Sequence, residues 1–415
     1  MFYGWIIVAA GYVVQALNGG LLFHAFSAYV LPLQAEFGWN RTLLSSAFAL
    51  LRMESGLLGP LQGWLIDRLG PRRVMTVGNA LFAAGFLLFA RIDSLTAFYV
   101  ALGVMALGSS LGGFMPIAAT VTRWFVRRRS VALGITLSGM GLGGLLVPGV
   151  VWLIADQGWR FMATLSGILI AALAIPAAQF MRARPADYGL RPDGDPAPAP
   201  GGDPAVAARR PEPEFTARQA LRTRAFWLLS LVHASALLVV GSVLVHQIPH
   251  MVEGVGLSEA RAGSGVGVLV VVVIVAQLSG GWLGDRVNKR LVIFGAMWMH
   301  AAAMVIFAYA ESYAGAVAFA VLHGAAWGAR GTLINSIRAD YFGSASYATI
   351  SGFSSLLIMV GMTSGPMFSG VVFDLTGSYR IAFLTLAGLA AVASLAALMA
   401  RPPQRPAASG SRAQV

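Results

Sequence analysis

The sequence predicts an all-α membrane protein of twelve transmembrane helices, arranged as two matching six-helix bundles with both termini on one side. Three observations lead there. Apolar runs of about 20 residues recur along the whole chain. Only 11% of residues are charged against 57% hydrophobic, whereas soluble domains carry about a quarter charged residues. A polar motif also occurs twice, once in each half.

The first set of apolar runs lies near 5–31, 42–65, 74–90, 95–120, 131–154 and 161–181. The second lies near 225–249, 260–283, 291–309, 314–337, 347–372 and 380–400. The first run begins at Trp5 with neither a basic n-region nor a small-residue cleavage site, so it reads as a retained helix rather than a signal peptide. Between the sets, Pro192 to Gly202 is too polar and proline-rich to enter a bilayer or build a core. The chain thus divides into a bundle over 1–184, a linker over 185–222, a second bundle over 223–401 and a disordered tail over 402–415. At the linker's end, Thr216 to Thr223 suits a short surface helix with Thr216 as its N-cap.

The chain holds 29 Lys and Arg against 17 Asp and Glu, a formal charge of +12. In a soluble protein that excess would point to nucleic acid; here the charges fall in short loops and report topology. Of the 29, 22 lie on the side of the two termini, 5 (Arg41, Arg91, Arg160, Arg261 and Arg380) on the other, and Arg52 and Arg330 inside spans. The positive-inside rule therefore places both termini in the cytoplasm, and the chain is expected in the cell's inner membrane. There is no cysteine, which removes disulfides and thiolate metal sites. Neither a phosphate-binding loop nor a paired-carboxylate site is present, so the chain reads as neither an enzyme nor an ATP-driven pump.

The halves echo each other. Gly63, Trp64, Asp67, Arg68, Gly70, Arg72 and Arg73 follow the second span, and Gly281, Trp282, Asp285, Arg286, Lys289 and Arg290 follow the eighth. Both copies fall on the same side of the membrane, so the repeat is parallel, about an axis along the membrane normal. These residues resemble the major facilitator superfamily, whose loop after the second helix reads Gly-x-Leu-x-Asp-Arg-x-Gly-x-Arg-Arg. Tyr3-Gly4-Trp5 at the first span and Trp124 to Gly139 leading into the fifth resemble its monocarboxylate porter and oxalate/formate antiporter branch.

The resemblance implies two rocking halves around a central site and a carboxylate-type solute. It does not carry over the branch's charge apparatus. Where animal-type monocarboxylate porters have a first-helix lysine this chain has Phe23, beside His24, and their eighth-helix Asp and Arg fall on Val273 and Gln277.

Ionisable and polar residues inside spans are the candidate site, because a charge at mid-bilayer costs about 2.5 to 3.5 kcal/mol unless it meets a partner or a cavity. Arg52 lies about 16 Å past Arg41, near mid-plane. Glu54, two residues on, faces the other way and is a candidate proton carrier, or else an ion-pair partner for Arg330. Arg330 lies about 12 Å deeper than Arg338 in the tenth span, in a glycine- and alanine-rich stretch that ends at Asn335. Gln15 and Asn18 share a face of the first span, near His24, and His246 stands near the outer end of the seventh. Arg52, Arg330, Gln15, Asn18, His24, His246, Gln277 and Asn335 form the candidate solute-binding set. Gly63, Asp67, Arg68, Gly70, Arg72, Arg73, Asp285 and Arg286 form a candidate conformational latch, with carboxylates reaching helix N-termini or basic side chains across the seam. No ligand spacing for a metal is found.

The sequence thus predicts a monomeric, proton-coupled or exchange-type carrier of a small organic anion, of monocarboxylate or dicarboxylate type, with the bilayer as its other partner and no cofactor. An exporter of amphipathic or cationic compounds, and a transporter-like receptor without flux, stay open as alternatives.

Overall fold

The computed structural model describes residues 2–39, 43–44, 53–54, 56–196 and 214–404. Numbered in chain order, its long helices in the first half are α1 (Gly4–Phe37), α2 (Gly59–Leu69), α3 (Pro71–Phe89), α4 (Leu95–Trp124), α5 (Arg129–Gln157) and α6 (Trp159–Gln179). The second half contributes α7 (Arg224–Gly254), α8 (Glu259–Gly284), α9 (Lys289–Ala308), α10 (Tyr313–Phe342), α11 (Tyr347–Thr376) and α12 (Arg380–Met399). All but α2 and α3 are long and apolar enough to cross a membrane, and no strand occurs among the described residues.

Local chemistry sets the helix ends. Ser94, Thr223, Ser258, Asn288 and Ser312 each accept a hydrogen bond from a backbone N–H of the turn they open, the N-cap role of short polar side chains. The turn between α2 and α3 is made by Gly70 at φ +85°, a conformation a side chain would strain, and Pro71 then starts α3 with its φ already fixed. Inside α1, Asn18–Phe23 widens into a π-helix that bulges the backbone at the middle of the span.

Two hydrophobic cores result, one built almost wholly from the first half and one from the second. The halves meet along two helix pairs, α2 with α11 and α5 with α8. The linker is partly ordered: Pro185–Tyr188 and Pro192–Gly194 form short 3-10 turns, and Ala217–Leu221 forms a helix. Thr216 caps that helix, and Gln219 returns its side chain to the Thr216 N–H at 2.8 Å. Asp193 differs from a disordered linker residue. Its carboxylate accepts the backbone N–H groups of Val126, Arg127 and Arg128 at 3.0 to 3.3 Å, docking the chain just ahead of α5.

Candidate functional site

At the end of the seam that carries the repeated motif, the halves are tied by two equivalent contacts. Asp67 Oδ2 accepts from Thr349 N at 2.8 Å and Thr349 Oγ1 at 2.7 Å, at the first turn of α11. Its Oδ1 meets Arg123 Nη2 at 2.8 Å, and Arg123 also donates to the carbonyls of Ser344 and Ala345. The second copy repeats the device on the other pair, with Asp285 accepting from Ser130 N at 2.8 Å and Val131 N at 3.0 Å at the start of α5. Beside it Arg129 crosses the seam to Asp340, donating to its Oδ1 at 2.6 Å, while Lys289 holds the other Asp340 oxygen.

The motif glycines bring the backbones this close. A Cβ on Gly63 would stand 2.3 Å from the Ala348 carbonyl oxygen, and one on Gly281 2.6 Å from that of Ser130. The remaining motif residues face outward or into their own half. Arg68 stacks on Trp64, Arg286 on Trp282, Arg72 donates to Gln179 at 2.9 Å, and Arg73 is exposed.

Above this closed end lies a cavity of about 320 Å³ between the halves, within the size range of small-molecule sites. Phe23, His24 and Met140 wall it from the first half; Gln277, Arg330 and Asn335 wall it from the second. Arg330 is wholly buried, and its Nε and Nη1 have no hydrogen-bond partner. Gln277 Oε1 is likewise buried and unpaired. Asn335 accepts from the Tyr347 hydroxyl at 3.3 Å and donates to the Gly331 carbonyl.

A second cavity of about 280 Å³ adjoins the first through Phe23, Phe114 and Met140. Gln15 and Asn18 line it, with Ser109 Oγ at 2.8 Å from Asn18 Oδ1. Glu54 borders this space instead of pairing with Arg330. Its carboxylate accepts from Gln62 Nε2 at 2.9 Å and Ser110 Oγ at 3.1 Å, both first-half groups. The hollow continues from His24 toward the far end of the seam through a third cavity of about 550 Å³.

One of the sequence candidates is not brought into this arrangement. His246 donates from Nε2 to the Pro366 carbonyl at 2.9 Å and pairs Nδ1 with the Tyr379 hydroxyl at 3.1 Å, so both ring nitrogens are occupied within the second half. Arg52 lies outside the described residues.

Three groups of cavity or core residues escape the sequence reading. Arg338, which the loop tally places among surface charges, is only 2% exposed, sits inside α10 and lines the same cavity as Arg330. His233 also lines it, with Nδ1 unpaired. Behind the cavity, His300 and His323 face each other with their Nδ1 atoms 3.3 Å apart, and neither Nε2 has a partner. The signal was available. Histidine within an apolar span deserves the scrutiny given to arginine, and His323 stands seven residues before Arg330, on its face of α10.

A hollow between two helical halves, held shut at one end by paired helix-cap contacts, has the build of a secondary transporter. The chain belongs to the Major Facilitator Superfamily, whose model matches residues 8–275 and 240–414. It is similar to human Monocarboxylate transporter 11, at 29% identity over 397 residues that span 92% of this chain and 79% of the relative. Monocarboxylate transporter 13 of Bos taurus is 25% identical over 403 residues, 96% of this chain and 89% of the relative. Among solved structures, the E. coli fucose:proton symporter aligns with a TM-score of 0.73 at 17% identity, covering 97% of this chain and all of its own. The human organic anion transporter MFSD10 aligns at 0.64 and 16% identity, covering 95% of this chain and 97% of its own. These structures share the fold, and the family is one of transporters, not enzymes.

Proposed function

We propose that the chain carries a small organic anion across the inner membrane by alternating access, as a monomer of twelve spans with both termini cytoplasmic. The observation that carries this reading is Arg330, wholly buried at the cavity wall with Nε and Nη1 unpaired. A buried cation without a partner costs several kcal/mol, and a carboxylate entering the cavity removes that cost through the planar fork that only arginine offers. Gln277 and Asn335 supply neutral hydrogen-bonding groups beside it. Phe23, Leu137 and Trp327 receive the organic part. The names of the monocarboxylate relatives support the same solute class.

Asp67 and Asp285 act as the latch of the state closed at the cytoplasmic end, and release of both contacts opens that end. Glu54 is the proton-coupling candidate, placed with Gln62 and Ser110 at the edge of the adjoining cavity. The test is uptake of carboxylates into proteoliposomes by the parent and by Arg330→Gln. Saturable uptake that the variant loses supports the reading; uptake that is unchanged in a correctly inserted variant overturns it. A receptor without flux would bind solute and accumulate none.

A further inference from the structure

Arg338 gives the cavity a second cation. It follows Arg330 by eight residues, about 12 Å along α10, and both side chains line one cavity of about 320 Å³. Among the described residues, those that hold Arg338 are neutral. It donates to Ser354 Oγ at 2.9 Å and to Asn335 Oδ1 at 3.4 Å. His233, on the neighbouring helix α7, lines the same cavity as both arginines. No Asp or Glu is among the residues described as lining this cavity, and Glu54 is engaged with Gln62 and Ser110 in the neighbouring one.

We infer that the solute is a small dianion, of dicarboxylate type, whose two acidic groups meet Arg330 and Arg338. A monoanion on Arg330 would leave the second buried guanidinium with hydroxyl and amide partners alone, and buried charges demand opposite charge more strongly than neutral hydrogen bonds supply it. A dianion answers both cations in one binding event. Tyr347, which donates to Asn335, and the unpaired Gln277 leave room for hydrogen bonds to a hydroxyl or carbonyl on the linking carbons. This inference rests on the reading of Arg330 as the anion's partner, and adds a second point of contact that fixes the charge of what fits.

The test compares succinate with butyrate, equal in chain length and different by one carboxylate, by calorimetric titration of the full-length protein at neutral pH. Succinate is expected to bind at least about tenfold tighter in the parent, the lower range for a buried charge contact. Arg338→Gln should bring succinate to within about threefold of butyrate, and Arg338→Lys should keep part of the preference. Equal binding of the two acids by the parent overturns the inference without any variant, so a failure of Arg338→Gln to fold does not protect it. A folded Arg338→Gln that keeps the full preference also overturns it. If butyrate binds through Arg330 and succinate gains nothing, the dianion alone is wrong. If Arg330→Gln binds both acids as the parent does, the anion reading itself is wrong.

Discussion

Asp67→Asn removes one charge from the seam while keeping the side chain's shape. In the structure that carboxylate makes three contacts: a partly buried ion pair with Arg123 at 2.8 Å and two bonds from Thr349 at 2.8 and 2.7 Å. Asparagine can keep one acceptor, and Arg123 keeps its bonds to the Ser344 and Ala345 carbonyls, so the loss is a fraction of the three. We expect about 2 to 4 kcal/mol, taking charge-assisted bonds at roughly 1.5 to 3 kcal/mol each. That shifts the closed-to-open balance at this end by roughly 30-fold to several hundred-fold, up to the point where the open form dominates. The chain has no cysteine, so a single probe can be read without background. Ala348 is fully buried against Gly63 in the closed seam, and Ala348→Cys reports opening by its maleimide labelling rate. Labelling should accelerate at least tenfold in the Asp67→Asn background, and exchange in liposomes should slow. An unchanged labelling rate would refute the latch.

Three further outcomes concern other parts of the chain. Deleting residues 197–208 should leave transport intact, since that stretch is rich in proline, glycine and alanine and too poor in large apolar side chains to build a core; Asp193→Ala, by contrast, strips the acceptor from the N–H groups of Val126, Arg127 and Arg128. It should cost about 0.5 to 2 kcal/mol, the range for loss of a cap, seen as a lowered melting temperature in detergent. His323→Leu should destabilise by roughly 1 to 3 kcal/mol by orphaning His300 Nδ1, and adding His300→Leu should restore part of that loss. Strict additivity of the two changes would show that the pair carries no coupling.

The repeat was legible because it is written in residue types with few substitutes: glycine where backbones touch at Gly63 and Gly281, and a carboxylate where a helix N-terminus faces it at Asp67 and Asp285. The other half of each contact was not. Arg123 and Arg129 sit at helix ends rich in arginine, and a tally of loop charges cannot separate a side chain extended into water from one folded back onto Asp67 or Asp340. The same tally hid Arg338, since its place eight residues beyond Arg330 looked like the end of a span, while α10 in fact continues to Phe342. The partner of Glu54 was also beyond reach of sequence. Its neighbour Gln62 stands eight residues along the chain and Ser110 comes from α4, and only folding brings the three together. Arg330 could be recognised from its isolation in a glycine- and alanine-rich span, because an arginine there must answer to a cavity or a partner.

Anion binding by the Arg330 site is the central claim, and direct titration of Arg330→Gln and Arg330→Lys with carboxylates tests it most closely. Both variants are first shown to insert and elute as the parent does. Arg330→Gln should lose about 30-fold or more in affinity for an organic anion, the cost of removing a buried charge-assisted contact, and Arg330→Lys should lose less because it keeps the charge without the fork. A correctly folded Arg330→Gln that binds the anion as tightly as the parent would contradict it.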